Sequence, residues 1–347
     1  MNRVLGLLTL FVLLMAMDML MVFGPDQLLG SLLRIETQYY YLLLMLLLPF
    51  TFFLYPTKKA VDWVLAISSS LMLVGLIFTA EESLDNAWEF GAPQWITYIC
   101  LALWFLILEA LRRSAGLVLC VIAAFFSCLP LFTHWLPGPL NGLSSSWYET
   151  ASYHLLSIES VFGLPFRAFA NLVIGFILFG VVLQKTGGGQ FFLDLAFSLM
   201  GRQRGGPAKV AIFSSGLMGS MSGSVVTNVM TTGQLTIPAM KKSGMTGEVA
   251  GGIEACASTG GVLLPPIMGS TAFVMASFLD IPYAQVAVAA FLPALLYFFS
   301  LFVQIDSYAG REQLSGAPSE EIPTLFSVIK SGWHYMGAFA LLIFLLL

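Results

Sequence analysis

The sequence predicts an all-α protein that crosses a membrane several times. Its 347 residues are 58% hydrophobic and only 10% charged, with a mean hydropathy of +0.87. Soluble domains carry roughly 25% charged residues, so most of this chain has no aqueous surface to face. In lipid, helices satisfy their own backbone hydrogen bonds, and the apolar runs here have helix length. The net charge of −4 offers no basic patch, so nucleic acid is not expected as a partner.

Eight apolar segments meet or approach the length of about 20 residues that a membrane helix needs. The first follows Arg3 and is interpreted as a retained membrane helix, because it lacks a small-residue cleavage site; a signal peptide is the alternative. The second, sixth and last segments are short and are expected to extend or tilt. The eight segments are residues 4–23, 40–55, 61–79, 95–111, 116–136, 169–183, 284–304 and 334–347.

The distribution of Lys and Arg predicts the orientation of these helices. Lys58 and Arg112 begin two basic pairs in alternate connections, whereas residues 81–90 and 137–159 contain no Lys or Arg. Basic connections stay in the cytoplasm. We therefore expect a cytoplasmic N-terminus, both basic pairs on the same side as it, and the acidic loops outside.

Residues 190–204 are predicted to form a helix that lies in the membrane interface, with an ordinary connector as the alternative. An apolar set recurs at helical spacing and a basic set follows it, which is typical of interfacial helices. These residues are Phe191, Phe192, Leu195 and Leu199, followed by Arg202, Arg204 and Lys209.

The stretch "GSMSGSVVTNVMTTGQLTIP" lies between two basic sites, Lys209 before it and Lys241-Lys242 after it. A single crossing would place one of them outside, whereas a segment that enters the membrane and returns keeps both in the cytoplasm. There is room for two half-length helices of roughly 20–25 Å each at about 1.5 Å per residue. Residues 207–242 are therefore predicted to form a re-entrant hairpin.

Residues 247–280 are predicted to cross the membrane as a broken helix. The run is interrupted by "TGG" at Thr259–Gly261 and by Pro265-Pro266. Backbone groups released at such breaks are tolerated only where protein or a wet cavity satisfies them. The hairpin tip and this break are expected at similar depth, and together they are the strongest functional signal in the sequence.

The chemistry of the two interruptions favours a small cation. Hydroxyl, amide and unwound carbonyl oxygens are hard ligands, whereas half-helix N-termini suit an anionic group. Thr227, Pro265 and Pro266 are also candidates for contact with a substrate. The candidate ion ligands are Ser220, Ser222, Gly223, Ser224, Asn228, Thr259, Gly260 and Gly261. The alternative is simple helix packing, because Gly219 and Gly223 form a GxxxG pattern.

Other polar residues inside apolar runs give weaker signals. Asp18 is assigned no role, Glu109 is expected to pair with Arg112 and Arg113, and Glu254 is expected near the cavity mouth. The scattered histidines have no metal-ligand spacing, and the cysteines are interpreted as small buried hydrophobes rather than disulfides or metal ligands. These residues are His134, His154, His334, Cys100, Cys120, Cys128 and Cys256.

Enzyme signatures are missing from the sequence. "TGGGQ" lacks the GK[ST] of a phosphate-binding loop, no GxSxG surrounds a serine, and HExxH does not occur. We therefore expect neither an enzyme nor a resident cofactor.

Two long stretches resemble one family closely. "GRQRGGPAKVAIFSSGLMGSMSGSVVTNVMTTGQLTIPAMKKSGM" and "EACASTGGVLLPPIMGSTAFVMASFLDIPYAQV" are similar to the large membrane subunit of tripartite ATP-independent periplasmic (TRAP) transporters. The elements G-S-x-S-G-S-x-V-x-N and S-T-G-G-x-x-x-P-P resemble fused permeases that work with TAXI-type binding proteins. The likeness extends from about residue 158 to residue 308. Before residue 113 it is architectural, with four helices in place of the small subunit.

The resemblance implies a secondary transporter of the elevator type with inverted repeats. It implies uptake of an organic acid, driven by a Na⁺ gradient and supplied by a periplasmic TAXI-type binding protein, in a bacterial or archaeal cytoplasmic membrane. By motif position, Ser220, Ser222–Ser224 and Asn228 match the first hairpin's ion site, with Thr259–Gly261 as the adjoining unwound segment. Oxygen ligands suit Na⁺, whereas Asp18 or Glu254 could serve H⁺, so the coupling ion stays open between the two.

The same resemblance implies a division of the chain at residue 114. Residues 1–114 are similar to the small subunit, and residues 115–347 to the N-terminal part of the large one. The chain ends in "GAFALLIFLLL" without a second hairpin motif, so we expect a fragment or truncated product that lacks the C-terminal repeat. The rival hypothesis is a non-transporting membrane scaffold whose polar hairpin only packs helices, and a membrane-embedded enzyme is a weaker one.

Overall fold

The computed structural model describes residues 11, 14–15, 33, 35–138, 141–317 and 322–346. Over these residues the chain forms helices and turns, with no β-strand. Contacts divide the chain into two units, Met1–Asn171 and Leu172–Leu347. Nearly all of the predicted first helix, including Asp18, lies outside the described residues, and the division predicted at residue 114 stays a prediction.

The helices described in the first unit agree with four of the predicted segments in position, although not always in length. The last of them continues into the second unit and contains a π-helical turn, Phe169–Val173. The helices are α1 (Glu36–Leu54), α2 (Lys59–Phe78), α3 (Ala80–Asp85), α4 (Trp88–Gly91), α5 (Gln94–Ala115), α6 (Leu117–Ser127), α7 (Trp147–Leu156) and α8 (Leu164–Lys185).

The two basic connections of the first unit lie together. Arg113, at the end of α5, donates to the Asp62 carboxylate at 2.6 Å and to the Tyr55 carbonyl at 3.4 Å. The same guanidinium contacts Glu109 at 2.7 Å, and Glu109 also pairs with Arg112. The predicted pairing of Glu109 is therefore confirmed. The contact also places the connections beginning at Lys58 and Arg112 at the same end of the helices, as the charge pattern predicts.

The apolar segment 116–136 does not form one membrane-length helix. Helix α6 stops at Ser127 and gives way to short 3₁₀ turns at Leu129–Leu131 and Thr133–Trp135. Pro130 explains the change, because proline lacks the N–H that a continuing helix needs and clashes with the preceding turn.

Helix α7 lies where the sequence analysis expected only an external loop. Ser146 and Glu149 form a capping box: the Ser146 hydroxyl accepts from the Glu149 N–H at 3.2 Å, and the Ser146 N–H donates to Glu149 at 2.7 Å. The S-x-x-E signal is visible in the sequence and explains the helix start. On this helix His154 is buried, lying 5.0 Å from the Trp104 ring, and desolvation lowers its pKa.

The second unit contains the predicted hairpin and broken helix. Its last helix begins nine residues earlier than predicted, at Leu325 rather than at 334, and Gly332 interrupts its regular geometry where the Phe191 ring packs. The helices are α9 (Gly188–Met200), α10 (Gly206–Ser222), α11 (Val225–Lys242), α12 (Gly247–Gly261), α13 (Ser270–Leu279), α14 (Tyr283–Arg311) and α15 (Leu325–Leu346).

Helix α9 corresponds to the helix predicted at residues 190–204, but it begins earlier and ends at Met200. Its apolar face packs inside the protein, where Phe191 lies 5.5 Å from Tyr335 and Phe192 lies 6.1 Å from Phe339. Gly201 ends the helix and its carbonyl accepts from Ala317. Its position in a membrane interface stays a prediction.

A buried ion pair fixes the start of the hairpin. The Lys209 side chain is only 3% exposed and donates to Asp306 of α14 at 2.6 Å and to Gln203 at 3.1 Å. Arg204 contacts the same carboxylate from the preceding turn. Lys209 therefore holds the first helix of the hairpin against α14, a structural role in addition to the topological signal.

Five described helices are long and apolar enough to cross a membrane by length and composition. They are Glu36–Leu54, Lys59–Phe78, Gln94–Ala115, Leu164–Lys185 and Tyr283–Arg311. The cysteines depart from expectation in part: Cys100 is buried, Cys120 and Cys128 are half-buried, and Cys256 is exposed. Cys256 lies on the open face of α12, opposite the face that packs in the protein.

The capping box of α7 gives a first prediction. Replacing Ser146 with Ala removes the acceptor for the Glu149 N–H and should destabilise α7 locally by about 1 kcal/mol. Amide hydrogen exchange of Trp147–Leu156 should speed up by about fivefold. Ser144→Ala, two residues earlier in the same exposed loop, is the control and should leave exchange unchanged. Equal exchange rates of the α7 amides in both variants would show that the Ser146 cap does not stabilise the helix.

The same cap predicts a pH dependence. Hydrogen bonds from the Ser146 backbone N–H and hydroxyl lower the pKa of Glu149 below its ordinary value of 4.5. A carboxyl whose pKa falls on folding adds stability above its unfolded value and loses it as pH drops through the folded value. Exchange protection of α7 should therefore decline below about pH 4.5, and Glu149→Gln should flatten that decline.

Candidate cation site

The tip of the hairpin is a two-residue turn that packs against the helix break. Gly223 adopts φ +60°, and a Cβ there would lie 2.5 Å from the Met268 carbonyl oxygen. Only glycine fits both the left-handed backbone and this approach. Ser224 then caps α11, because its hydroxyl accepts from the Thr227 N–H at 3.3 Å. Helices of 17 and 18 residues flank the turn and form a hairpin, and its re-entry into a membrane stays a prediction.

The run predicted as a broken helix is interrupted around Pro265-Pro266 but not at Thr259–Gly261, and its crossing of a membrane stays a prediction. Thr259–Gly261 form the last turn of α12, and the unwound stretch runs from Val262 to Gly269. The prolines end the helix, because Pro265 and Pro266 lack N–H donors and restrict the residue before them. Two glycines at a packed helix end are compatible with helical geometry, so they did not unwind it.

The unwound stretch has its own hydrogen-bond partners. The Ile267 N–H donates to the Ser220 carbonyl at 2.9 Å, which ties the break to the hairpin. The Gly269 N–H donates to the Val262 carbonyl, also at 2.9 Å. The Tyr283 hydroxyl donates to the Pro266 carbonyl at 2.8 Å. These hydrogen bonds satisfy backbone N–H and C=O groups that lipid could not satisfy in an irregular segment.

Helices α10 and α12 cross at Gly219 and Gly261, where neither helix has a side chain. A Cβ on Gly219 would lie 2.6 Å from the Gly261 Cα, and a Cβ on Gly261 would lie 2.8 Å from the Gly219 Cα. Asn228 of α11 reaches this crossing, and its side-chain nitrogen donates to the Ser215 carbonyl at 2.8 Å. Asn228 is fully buried, yet its side-chain oxygen has no hydrogen-bond donor among the residues that the structure describes.

The candidate ligands predicted from the sequence fall into two groups. Ser220, Ser222, Gly223, Ser224 and Asn228 lie together at the hairpin tip, and Gly261 joins them at the helix crossing. Gly260 packs instead against the Tyr297 ring, which a Cβ would approach to 2.5 Å. Thr259 is exposed, and its hydroxyl donates to the Ala255 carbonyl of its own helix at 2.8 Å.

The three candidates for substrate contact are also placed differently from one another. Thr227 is exposed in the first turn of α11, and its backbone N–H, not its hydroxyl, takes part in the cap of the helix. Pro265 and Pro266 lie in the unwound stretch, where the Pro266 carbonyl is taken by Tyr283. Of the three, Thr227 therefore offers a free side chain at the surface of the tip.

Sequence reasoning missed a cluster of hydroxyls around Glu254. This side chain is not near a cavity mouth: it is 0% exposed, between α10, α11 and α12. Four hydroxyls donate to its carboxylate, at 2.9 Å from Ser215, 3.2 Å from Ser258 and 2.5 Å from Thr236, with Thr232 in contact as well. The spacing of Asn228, Thr232 and Thr236 by four residues was a visible sign of one polar helix face.

The comparisons with known proteins identify the family of the chain. A family profile described as "Tripartite ATP-independent periplasmic transporter, DctM component" matches residues 102–347. The chain belongs to this family. The match begins within α5 and includes every element of the second unit, so the hairpin tip and the break lie in the part of the chain that matches the family.

Individual TRAP permeases are similar to this chain at about a quarter sequence identity. The sialic acid TRAP transporter permease protein SiaT of Haemophilus influenzae is 26% identical over 77% of this chain and 40% of its own length. The C4-dicarboxylate TRAP transporter large permease protein DctM of Pseudomonas aeruginosa is 27% identical over 58% of this chain and 47% of its own length. The chain thus spans less than half the length of these relatives.

The helix crossing gives a prediction about packing. Gly219→Ala puts a methyl group within van der Waals overlap of Gly261 and should destabilise the second unit by about 1–3 kcal/mol. The matched control is Gly251→Ala on α12, where a Cβ meets no atom within 4 Å. That change should be neutral or stabilising by up to about 1 kcal/mol, because alanine favours helix. Thermal unfolding in detergent measures both, and equal melting temperatures would contradict the close crossing.

Proposed function

We propose that this chain contributes to the transport site of a TRAP-type secondary transporter, which takes up an organic anion together with Na⁺. The cation binds at the hairpin tip, between the turn at Gly223–Ser224 and the end of α12. The observation that carries the proposal is the side-chain oxygen of Asn228, which is buried and lacks a donor among the described residues. Family membership supports it.

The orientation of Asn228 makes a cation the fitting partner for that oxygen. The side-chain nitrogen donates to the Ser215 carbonyl, so the amide oxygen is the atom left free. A buried acceptor without a partner costs about 1–3 kcal/mol, and a cation would remove this cost. Neighbouring oxygens at the tip are hydroxyls and carbonyls, the hard, neutral ligands that suit Na⁺. H⁺ is the weaker candidate because none of these groups titrates near neutral pH.

The same place suits the carboxylate of a substrate. Helices α11 and α13 both begin at the contact between the tip and the break, where a Cβ on Gly269 would lie 3.9 Å from the Gly223 carbonyl. Two helix N-termini carry partial positive charge and unpaired N–H groups. Relatives are named for sialic acid and for C4-dicarboxylates, which are both organic acids. Thr227, exposed beside these N-termini, is the candidate for selecting among them.

Partners and location follow from the family and the charge pattern. We propose a multi-pass protein of a bacterial or archaeal cytoplasmic membrane, with its N-terminus in the cytoplasm. A periplasmic binding protein of the TAXI type would deliver the substrate, and residues 1–114 would take the place of the small subunit. The hairpin would then be part of a domain that moves across the membrane in an elevator motion.

Helix packing alone remains the competing function for the polar tip. The crossing at Gly219 favours it, because small residues commonly allow helices to approach. Packing gives no reason for an amide oxygen to be buried without a donor, whereas cation binding does. The two functions differ in one respect that can be measured: only a transport site changes when Na⁺ is added.

Binding of ²²Na⁺ to the purified chain in nanodiscs tests the cation site. Asn228→Ala should weaken binding by at least about tenfold, since one buried ligand oxygen is worth roughly 1.4 kcal/mol or more. Gln234→Ala, an exposed amide on the same helix, is the control and should bind as the parent does. Equal affinities for all three proteins would remove Asn228 from the site.

Accessibility of the tip separates transport from packing. Ser224→Cys, in a chain whose exposed Cys256 is replaced by Ser, should react with a water-soluble thiol reagent and should be protected by Na⁺ but not by K⁺. A thiol at this position that never reacts, with or without Na⁺, would favour the packing role instead.

A further inference from the structure

The carboxylate of Glu254 is buried without a cation. Its side chain is 0% exposed, and its partners are the hydroxyls of Ser215, Thr232, Thr236 and Ser258. No Lys, Arg or His contacts it within the described part of the chain. Burying an ionised group without a counter-charge costs folding free energy. A carboxylate kept between three helices of the candidate site is therefore a candidate for a functional role.

The charged and titratable groups on the surrounding helices are engaged elsewhere or exposed. Helix α10 carries Lys209, which is paired with Asp306, and α11 carries only Lys241 and Lys242, exposed in its last turn. Helix α12 carries Glu248 and Cys256, both exposed. On α14 the titratable groups are Tyr283, Tyr297, Asp306, Tyr308 and Arg311, none of which bonds to Glu254.

Two of the hydroxyl donors also hold Asn228. Ser215 donates to Glu254 through its side chain and accepts the Asn228 amide N–H through its carbonyl. Thr232 contacts Glu254 and also lies 2.9 Å from the Asn228 carbonyl, one turn away on α11. Gly233 lets this packing close, because a Cβ there would lie 3.2 Å from the Glu254 Cγ. Ser215 and Thr232 therefore each contact both Glu254 and Asn228, the proposed cation ligand. Ser215 reaches the Asn228 side-chain nitrogen, and Thr232 reaches the Asn228 main-chain carbonyl.

We propose that Glu254 is the counter-charge of the cation site, a positioning residue that acts through Ser215 and Thr232. This inference rests on the proposed cation site and adds the source of its negative charge. The ligands at the tip are neutral, so a buried negative charge nearby would strengthen the binding of a cation there. Glu254 provides that charge, and its four hydroxyl partners keep the carboxylate oxygens away from the ion.

The role is electrostatic, so the substitutions separate charge from shape. Glu254→Gln keeps the volume, and its amide can accept from Ser215 and donate to Thr236, so the fold should hold. Na⁺ affinity should fall about tenfold or more, which Coulomb's law gives for a carboxylate within roughly 10 Å of the ion at an effective dielectric constant of about 20. Glu254→Asp keeps the charge but fits less well, and it should bind Na⁺ more tightly than Glu254→Gln.

The measurement is ²²Na⁺ binding to the full chain in nanodiscs, together with its melting temperature without Na⁺. Glu248→Gln, an exposed carboxylate on the same helix, is the matched control and should bind as the parent does. We expect Glu254→Gln to lose Na⁺ affinity while its Na⁺-free melting temperature stays equal or rises. Lower Na⁺-free stability with unchanged affinity would assign Glu254 a structural role and overturn the proposal.

Failure of this inference differs from failure of the cation site itself. If Asn228→Ala weakens Na⁺ binding but Glu254→Gln and Glu254→Asp bind as the parent does, the cation site stands and Glu254 is not its counter-charge. If Asn228→Ala also binds as the parent does, the cation site at the tip is wrong and the role of Glu254 falls with it.

Discussion

The second unit depends on one close approach, the crossing of α10 and α12 at Gly219 and Gly261. With no Cβ on either residue, the two backbones come within the distance at which a single methyl group would overlap. This approach brings the end of one broken helix to the tip of the hairpin, and it leaves room for Asn228 to reach between them. Without it, the polar groups of the two elements would belong to separate helices.

That approach also allows the broken backbone to be stable in an apolar setting. A helix that stops inside a membrane exposes carbonyls and N–H groups that lipid cannot satisfy. Here Ser220 accepts from Ile267, and Tyr283 donates to the carbonyl of Pro266, so the break is closed by its neighbours. The side-chain oxygen of Asn228 remains without a donor among the described residues, whereas the amide nitrogen beside it is already bonded.

Much of this arrangement was predictable from the sequence. Basic residues on both sides of a polar stretch indicate a hairpin, and two adjacent prolines indicate a break, because topology and backbone chemistry act locally. The position of the break was not predictable from glycines alone: Gly260 and Gly261 stay helical because Tyr297 and Gly219 pack against them. The short helix after Ser146 and the early end of α6 both had local signals in the sequence, a capping box and Pro130. The prediction missed them because it selected segments only by the length of their apolar runs.

The surroundings of Glu254 were beyond sequence reasoning for a different reason. Its four donors come from three helices, and only tertiary packing shows that they converge on one carboxylate. The contrast with Lys209 is informative, since that buried charge has an opposite charge, Asp306 of α14, and serves to hold α10 in place.

Among the described residues Glu254 contacts only hydroxyls, which can stabilise a carboxylate without neutralising it, so in the proposed site its charge would stay available to a mobile ion. A carboxylate in direct contact would hold a cation more tightly, whereas one set back by a hydroxyl attracts the ion and still lets it leave. For the proposed site, which would bind the cation on one side of a membrane and release it on the other, the weaker arrangement is the useful one.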